Sequence, residues 1–235
     1  RNSMDAVADR DPATEFCFAA ALCGVHLSRL AEDMVLWSSA EFGFARMPDE
    51  FSTGSSLMPQ KRNPDSMELL RGKAARFQAS LTHLLTLTKG LPLTYNRDLQ
   101  DDKPPLFDAA DQLILSVAVA DATLAGTKFH KARCLAAASD PALLATDLAD
   151  WLVRKGMPFR HAHHAVGRLV ALAEKSGVPL DKLSDDAALT ADKAFTKGWR
   201  EVFSLQRGFA ARENTGMPGP KAVAREIARW KQSLR

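Results

Sequence analysis

Three stretches of the sequence repeat apolar residues at alternating intervals of three and four positions, and this pattern constrains the fold more than any other feature. Such a repeat predicts long helices with one apolar seam each, whereas a half-buried strand would alternate at every second residue. Helices of this kind pack side by side with a left-handed twist. The fold class is therefore predicted to be all-α, with a bundle of long helices. The seams comprise Phe16, Ala20, Cys23, Leu27, Leu30, Met34 and Trp37; Met67, Leu70, Ala74, Phe77, Leu81 and Leu84; and Leu106, Ala110, Leu113, Val117, Ala120 and Leu124.

The three seam helices also carry apolar residues away from the seams. Three helices cover one another only partly, and a large apolar surface left open is typical of an interface between subunits. We therefore expect the chain to pack against other copies of itself. The residues concerned include Leu22, Leu36, Leu69, Leu85 and Ile114.

After about residue 130 the sequence changes to shorter apolar segments separated by proline and glycine. The pattern predicts two domains, a helical-bundle domain over 1–130 and a small all-helical domain over 131–235. Because glycine and proline end helices, four helices are expected in the second domain. Their predicted limits are 142–155, 159–175, 187–203 and 221–233.

The charge balance and the cysteines exclude several classes of protein. Lys and Arg number 31 against 28 Asp and Glu, and the basic residues are scattered without interleaved aromatics, so small anionic molecules are favoured over nucleic acid. Apolar runs such as 113–120 fall short of the roughly 20 residues that a membrane span needs, and the first residues do not resemble a signal peptide. Cys17, Cys23 and Cys134 lack paired spacing, which predicts plain thiols in a reducing cytoplasm and no metal.

A loop over residues 54–64, with the sequence GSSLMPQKRNP, separates the first two seams. Pro59 prevents the preceding helix from continuing, and Asn63 with Pro64 is predicted to be the cap and first position of the next helix. The positive end of that helix, Lys61, Arg62 and the loop amides would then lie close to the Ser55 hydroxyl. This arrangement predicts an anion site, and a substrate carboxylate is its natural ligand.

The 54–64 loop resembles the GSSxMPxKxNP signature of the fumarase/aspartase superfamily. Within that superfamily, Gln60 and the later run TYNRDLQDDK over 94–103 are similar to the argininosuccinate lyase family. The resemblance covers essentially the whole chain but corresponds to the C-terminal half of such an enzyme. It implies a cytoplasmic homotetramer with a twenty-helix core and active sites shared between subunits, acting on argininosuccinate without a cofactor and without nucleic-acid or membrane partners.

The resemblance also implies roles for individual residues in cleaving argininosuccinate to arginine and fumarate. Ser55 would be the general base, and Lys61 would stabilise the aci-carboxylate intermediate. Glu68 would pair with a catalytic histidine of a THxQ motif. Because a serine hydroxyl is a poor base, loop closure would have to exclude water and favour the alkoxide. The implied substrate-binding residues are Ser56, Asn63, Tyr95, Gln100 and Lys103.

Simpler structural roles remain open for several of these residues. Ser55 and Ser56 could be turn residues and Lys61 a solvated cation, while Glu68 stands where a capping box counted from Asp65 would place a carboxylate. Arg97 and Asp98 are expected to brace the 94–103 loop through a salt bridge. Two further groups are interpreted as packing or surface residues: His83, which no glutamine follows at the THxQ spacing, and the run His161, His163 and His164, which lacks acidic or cysteine neighbours for zinc.

Three alternative functions stay open on the sequence. The chain could belong to another lyase of the superfamily, to a structural protein of the delta-crystallin kind, or be a piece whose only property is assembly. An intact Ser55, Lys61 and Glu68 favours an enzyme. Because the THxQ histidine is not among these 235 residues, the chain by itself is expected to be inactive.

Overall fold

The computed structural model describes residues 2–54 and 56–234. The all-α prediction is confirmed, since the protein is 72% helical. Strand is confined, in the described residues, to two short antiparallel pairs: β1 (Ala45–Arg46) with β4 (Lys128–Phe129), and β2 (Thr53–Gly54) with β3 (Arg62–Asn63). Contacts group the chain into two compact units, Arg1–Arg133 and Cys134–Arg235. That these units are independent domains stays a prediction.

The first unit is built from three long helices that follow the short helix α1 (Ser3–Ala8). These are α2 (Asp11–Ser38), α3 (Asp65–Thr88) and α4 (Lys103–Gly126). Neighbouring helices run antiparallel, because Gly24 lies against Phe77 while Arg71, earlier in α3, pairs with Glu32, later in α2. Close approach of α2 and α3 requires glycine at position 24, since a Cβ there would lie 2.5 Å from the Phe77 ring.

Four of the six predicted seam residues of α3 are buried and the other two, Ala74 and Leu81, are partly buried, whereas the seams of α2 and α4 also contain exposed residues. Phe16 and Trp37 on α2 and Val117 on α4 are exposed. The inner faces of α2 and α4 consist mainly of small side chains, which allow helices to approach closely, and the large apolar side chains point outward. The small inner residues include Cys17, Ala20, Ala21, Gly24, Ala31, Ala109, Ser116, Ala120 and Thr123.

Polar side chains join α4 to α3. Arg76 Nε donates to Asp108 Oδ2 at 2.6 Å, and Lys73 Nζ donates to Gln112 Oε1 at 2.5 Å.

The segment Arg97–Gly126 comprises α4 and the turn before it. By length and composition it is long and apolar enough to cross a membrane. Those criteria are weak evidence, since a core helix of a soluble protein also meets them.

The second unit packs shorter helices around one core. They are α6 (Ala145–Arg154), α7 (Phe159–Ser176), α8 (Asp185–Ala191), α9 (Leu205–Ala210) and α10 (Pro220–Ser233), preceded by α5 (Lys131–Ala138), which begins at the end of the first unit. The core contains Leu148, Leu152, Leu169, Phe195 and Trp199.

One predicted helix of this unit is wrong, and two short helices were missed. The segment 187–203 is not continuous, because the Asp192 carboxylate accepts from Ala194 N at 2.9 Å just after α8 ends. Gly198 then adopts φ +97°, and a separate 3-10 turn covers Trp199–Phe203. Helices α5 and α9 were not predicted, since they have only 8 and 6 residues and leave little periodicity to detect.

Candidate functional site

The 54–64 loop is the tip of a small hairpin. Thr53 lies opposite Asn63, and Gly54 lies opposite Arg62, so β2 and β3 bring the two ends of the loop together. Ser55, the proposed base, lies outside the described residues. Within the tip, Lys61 N donates to Met58 O at 3.0 Å, which closes a turn around Pro59. The hairpin was not expected from the sequence, because two-residue strands carry too little alternation to recognise.

The start of α3 fixes the base of this hairpin. A new helix near Pro64 is confirmed, but its cap residue is Pro64, not Asn63 as predicted, because Asn63 is held in β3. Thr53 N donates to Asp65 Oδ2 at 2.9 Å, and the Thr53 hydroxyl donates to the same oxygen. Asp65 therefore anchors β2 to α3, a role that sequence reasoning missed although an acidic residue opens the helix.

Glu68 does not complete a capping box. Its amide donates to Pro64 O at 3.0 Å, and the Asp65 carboxylate, which the box would require as cap, is already used by Thr53. The Glu68 side chain is exposed on the first turns of α3. A hydrogen bond to Glu32, and to a smaller extent the charge of Glu68, raise the pKa of Arg71. Glu68 is therefore accessible on the surface of α3.

The cations of the loop differ in what they contact. Arg62 forms an ion pair with Asp49, and Arg46 Nη2 lies 3.6 Å from the same carboxylate. Lys61 is exposed and makes no ion pair within residues 2–54 and 56–234. Because two arginines share one carboxylate while Lys61 stays unpaired, the hairpin carries net positive charge. Lys61 therefore differs from Arg46 and Arg62 in having no acidic partner among the described residues.

Strained backbone shapes the start of the 94–103 loop. Thr94 has φ +79°, a left-handed conformation that costs a non-glycine residue of the order of 1 kcal/mol. The Asn96 side chain supports it by donating from Nδ2 to Pro92 O and to Thr94 O, at 3.1 Å each. Tyr95 and Gln100, two implied substrate-binding residues, are exposed. Strain supported in this way is common at functional sites, where it fixes the direction of a side chain.

An ion-pair cluster ends the same loop at Lys103. The buried Asp102 carboxylate contacts Lys103 Nζ at 2.6 Å and Arg10 Nε at 2.5 Å. One carboxylate thus serves two cations, and the surplus positive charge can attract a substrate carboxylate. The expected Arg97–Asp98 bridge is wrong, since neither residue forms an ion pair in the described part of the chain; Arg10 and Asp102 brace the loop instead.

The two candidate regions lie at opposite ends of α3. The 54–64 loop immediately precedes this 24-residue helix, and the 94–103 loop follows it. At 1.5 Å per residue the helix is about 36 Å long, several times the size of a small substrate. The fold therefore does not bring Lys61 together with Tyr95, Gln100 or Lys103 within one copy of the chain.

The histidines that the sequence analysis interpreted as packing or surface residues all lie on helix surfaces. His83 is exposed on α3, and His161, His163 and His164 are exposed on α7. Among the residues that the structure describes, no group of three His, Cys, Asp or Glu side chains is arranged to hold a metal.

Comparison of the sequence with known proteins identifies the family of this chain. Residues 1–79 match a family described as lyase, and residues 142–209 match one described as argininosuccinate lyase C-terminal. Over 233 residues, or 99% of this chain and 51% of the relative, the sequence is 55% identical to an argininosuccinate lyase from Roseiflexus sp.. The chain belongs to the argininosuccinate lyase family.

It is also 49% identical over its whole length to an argininosuccinate lyase from Bartonella bacilliformis, of which it covers 50%. The chain spans about half the length of the curated relatives it matches.

Solved structures of the same superfamily share the fold. A crystal structure of EDDS lyase in complex with formate matches 99% of this chain and 48% of that one, with a TM-score of 0.88 and 30% identity. An EDDS lyase variant with bound fumarate matches with a TM-score of 0.87 and 29% identity, over 99% of this chain and 48% of that one. A class II fumarase from Schistosoma mansoni, at 20% identity, has a TM-score of 0.68 over 81% of this chain and 38% of that one, and shows the fold alone.

Proposed function

We propose that the chain is the C-terminal half of an argininosuccinate lyase, which reversibly cleaves argininosuccinate into arginine and fumarate. The observation that carries this proposal is the 54–64 loop, whose signature sequence forms a hairpin tip at the start of a long bundle helix. Lys61 in this loop has no ion-pair partner among the described residues. The identity of 55% to a relative of that name supports the substrate.

In the proposed reaction, Ser55 removes a proton from the carbon next to a succinyl carboxylate. The electron pair moves into that carboxylate, which becomes doubly charged, and the Lys61 ammonium stabilises the resulting aci-carboxylate. Collapse of this intermediate breaks the carbon–nitrogen bond and leaves fumarate. Ser56 and Asn63, beside the base and at the foot of the hairpin, bind the substrate.

The other half of the substrate is held by the 94–103 loop, where Tyr95, Gln100 and Lys103 bind it. The expelled guanidino nitrogen needs a proton, which the THxQ histidine supplies while Glu68 tunes its proton affinity. That histidine is not part of this sequence. The 235-residue chain by itself is therefore inactive.

Complete sites require several copies of the chain. The length of α3 separates the two binding loops of one copy by about 36 Å, and an antiparallel neighbour would place its 94–103 loop beside the first copy's hairpin. Large exposed side chains on the bundle helices, such as Ile114 at 71% and Leu69 at 68% exposure, supply apolar surface for this contact. The assembled protein is a cytoplasmic homotetramer that needs no cofactor.

The likeness to EDDS lyase favours one alternative, a lyase that releases fumarate from a different amine adduct. The proton abstraction and the carboxylate site would be unchanged in such an enzyme, and only the groups that hold the amine would differ. The identity of 55% to the Roseiflexus argininosuccinate lyase, against 30% to EDDS lyase, supports the first of these two proposals.

A chimera tests this function. The chain replaces the matching half of the Roseiflexus argininosuccinate lyase, and fumarate release is followed by ultraviolet absorbance with argininosuccinate, adenylosuccinate, aspartate and EDDS as substrates. We expect turnover of argininosuccinate above the others. Release from EDDS alone would establish the alternative lyase, and a folded chimera inert to every substrate would favour a structural protein.

A variant of the same chimera tests the base. Ser55→Ala should lower kcat by at least about 100-fold, or about 2.7 kcal/mol of barrier, and leave argininosuccinate binding nearly unchanged. Ser56→Ala is the matched control, because it removes the neighbouring hydroxyl, and we expect its kcat to change less. If Ser55→Ala retains turnover within about tenfold of the parent, another group removes the proton.

A further inference from the structure

A cavity lies beside the 54–64 hairpin, and all of its walls belong to the first unit. It is bounded by the end of α2, by β1, by the hairpin and by the start of α5, and its volume is about 290 Å³. Small-molecule sites begin at about this size. The wall includes Ser39, Gly43, Arg46, Arg62, His130 and Arg133, and among the described residues it includes no aspartate or glutamate. A cavity lined in this way favours an anion.

The cavity lies on a different face of the hairpin from the residues used in the proposed reaction. Neighbouring side chains of a strand point to opposite faces, and Arg62 lines the cavity whereas its neighbours Lys61 and Asn63 do not. Lys61 and Asn63 are the residues to which the proposed reaction assigns roles. The cavity is therefore separate from the proposed lyase site.

The Arg133 guanidinium is packed against a glycine in the cavity wall. A Cβ at Gly43 would lie 2.6 Å from Arg133 Cζ, and Gly43 has φ +57°, a conformation that favours glycine. Arg133 Nη2 donates to Ala40 O at 3.3 Å, which holds the group in place. Arg133 forms no ion pair within residues 2–54 and 56–234. Its remaining N–H groups are therefore available to a ligand at this wall.

The arginines of the cavity carry more charge than their one acidic partner neutralises. Asp49 pairs with Arg62, and its carboxylate lies 3.6 Å from Arg46 Nη2, too far for a hydrogen bond. Each guanidinium has five N–H donors, and the Arg46 and Arg62 side chains are still 55% and 49% exposed. Three guanidinium groups with one carboxylate leave a surplus of two positive charges. A divalent anion balances this surplus.

The serines of the wall differ in whether a hydroxyl hydrogen is left for a ligand. Ser38 Oγ donates to Val35 O at 2.9 Å, and Ser52 Oγ donates to Pro48 O at 3.0 Å, so both of these hydrogens are used. Ser39 Oγ instead accepts from Phe42 N at 3.4 Å. The Ser39 hydroxyl hydrogen is therefore left to donate to an anion.

We propose that this cavity binds a divalent phosphate group, either free phosphate or the phosphate of a small metabolite. Guanidinium groups bind phosphate oxygens in pairs, and Arg46, Arg62 and Arg133 supply three of them. The Ser39 hydroxyl supplies a neutral donor. Because Arg62 belongs to β3 and Arg133 to α5, the bound phosphate connects the hairpin to the start of α5.

Calorimetry on the 235-residue chain at constant ionic strength tests the proposal with inorganic phosphate, methyl phosphate and chloride. We expect saturable binding of inorganic phosphate or methyl phosphate, and at least about tenfold weaker binding of chloride, or about 1.4 kcal/mol. Tighter binding of inorganic phosphate would identify the free ion as the ligand, and equal or tighter binding of methyl phosphate would identify a metabolite that carries a phosphate. Undetectable binding of both phosphates at millimolar concentration, or equal affinity for chloride, would overturn the proposal.

Two variants with the same change of charge locate the bound phosphate. Arg133→Gln removes a guanidinium from the cavity wall and should weaken phosphate binding at least about tenfold. Lys131→Gln is the matched control, because Lys131 also lies at the start of α5 and does not line the cavity. Both residues are exposed, so both variants should fold. Equal weakening by the two variants would mean that the phosphate responds only to the net charge, and would contradict a site in this cavity.

A third variant separates this cavity from the hairpin tip, whose Lys61 could also attract an anion. Lys61→Met removes the cation of the tip and leaves the cavity wall intact. We expect phosphate binding by the chain to be unchanged by Lys61→Met. Binding that is lost with Lys61→Met and kept with Arg133→Gln would assign the phosphate to the proposed lyase site and overturn this inference.

Discussion

The inner faces of α2 and α4 in the first unit and the core of the second unit differ in the size of the side chains that they bury. In the first unit the inner faces of α2 and α4 are formed mainly by alanine, serine, cysteine and glycine, while phenylalanine, leucine and isoleucine side chains remain exposed on all three long helices. In the second unit the core holds leucine, phenylalanine and tryptophan, with Trp199 and Phe195 each 1% exposed. The second core is therefore complete within the chain. The first unit buries Phe77, Met34 and Met67 but leaves other large apolar side chains exposed on all three long helices.

The largest effect is expected where the second core is disrupted. Trp199 packs against Phe195 with tilted rings and against Phe203 edge to face, and it donates from Nε1 to Asp185 Oδ1 at 3.0 Å. Trp199→Ala should lower the free energy of unfolding of this unit by about 3 to 5 kcal/mol. Amide hydrogen exchange measures the effect, with lost protection in α6 and α7. Equal loss of protection in α2 and α3 would show that the two cores are not separate.

A charge introduced on the exposed face of α4 tests whether the exposed apolar side chains of the first unit are used for self-association. Ile114→Lys should weaken self-association by about 100-fold, or about 2.8 kcal/mol, because burial of isoleucine is lost and an ammonium would have to be desolvated. Leu143→Lys is the control, since Leu143 is similarly exposed, at 64%, on the second unit. Sedimentation over a range of concentrations measures both. Equal weakening by the two variants would mean that the first unit has no special interface.

A smaller effect on the stability of the first unit is expected from changes in the packing between α2 and α3. Gly24→Ala should destabilise the first unit by about 1 to 3 kcal/mol, because the new Cβ would lie 2.5 Å from the Phe77 ring. Gly72→Ala, on α3 with nothing within 4 Å of its Cβ, should stabilise the unit by up to about 1 kcal/mol. Urea denaturation monitored by circular dichroism distinguishes them. Stabilisation by both would mean that the helices are not in close contact at Gly24.

The smallest effect is a pH dependence in the second unit. Hydrogen bonds from Trp199 and then Arg200 lower the pKa of Asp185 from its ordinary value of 3.8. A depressed folded-state pKa contributes stability above the ordinary value, and this contribution is lost as the pH falls through the folded-state pKa. Asp185→Asn should therefore flatten the decline in stability below about pH 4, measured as the thermal midpoint. If the thermal midpoint of the variant declines with pH as steeply as that of the parent, Asp185 does not cause this pH dependence.

The sequence predicts the helices better than the contacts between them. Long apolar repeats reveal α2, α3 and α4, yet the inner faces of α2 and α4 consist mainly of small residues, because a repeat does not show which of its side chains meet within one copy. The loop 54–64 was recognisable from its sequence. Its hairpin and the Thr53–Asp65 anchor were not, since both depend on residues that only the fold brings together.

The central claim is that one copy supplies the 54–64 loop of a site and another copy supplies the 94–103 loop. It rests on the length of α3, which separates the two loops within one copy. The direct test uses the chimera with the Roseiflexus enzyme in two inactive forms, Ser55→Ala and Lys103→Met, which are dissociated, mixed and reassembled. Random reassortment leaves roughly a quarter of the sites with both groups intact, and activity should return to about that fraction of the parent. A mixture no more active than either variant by itself would contradict the claim and place both groups in one copy.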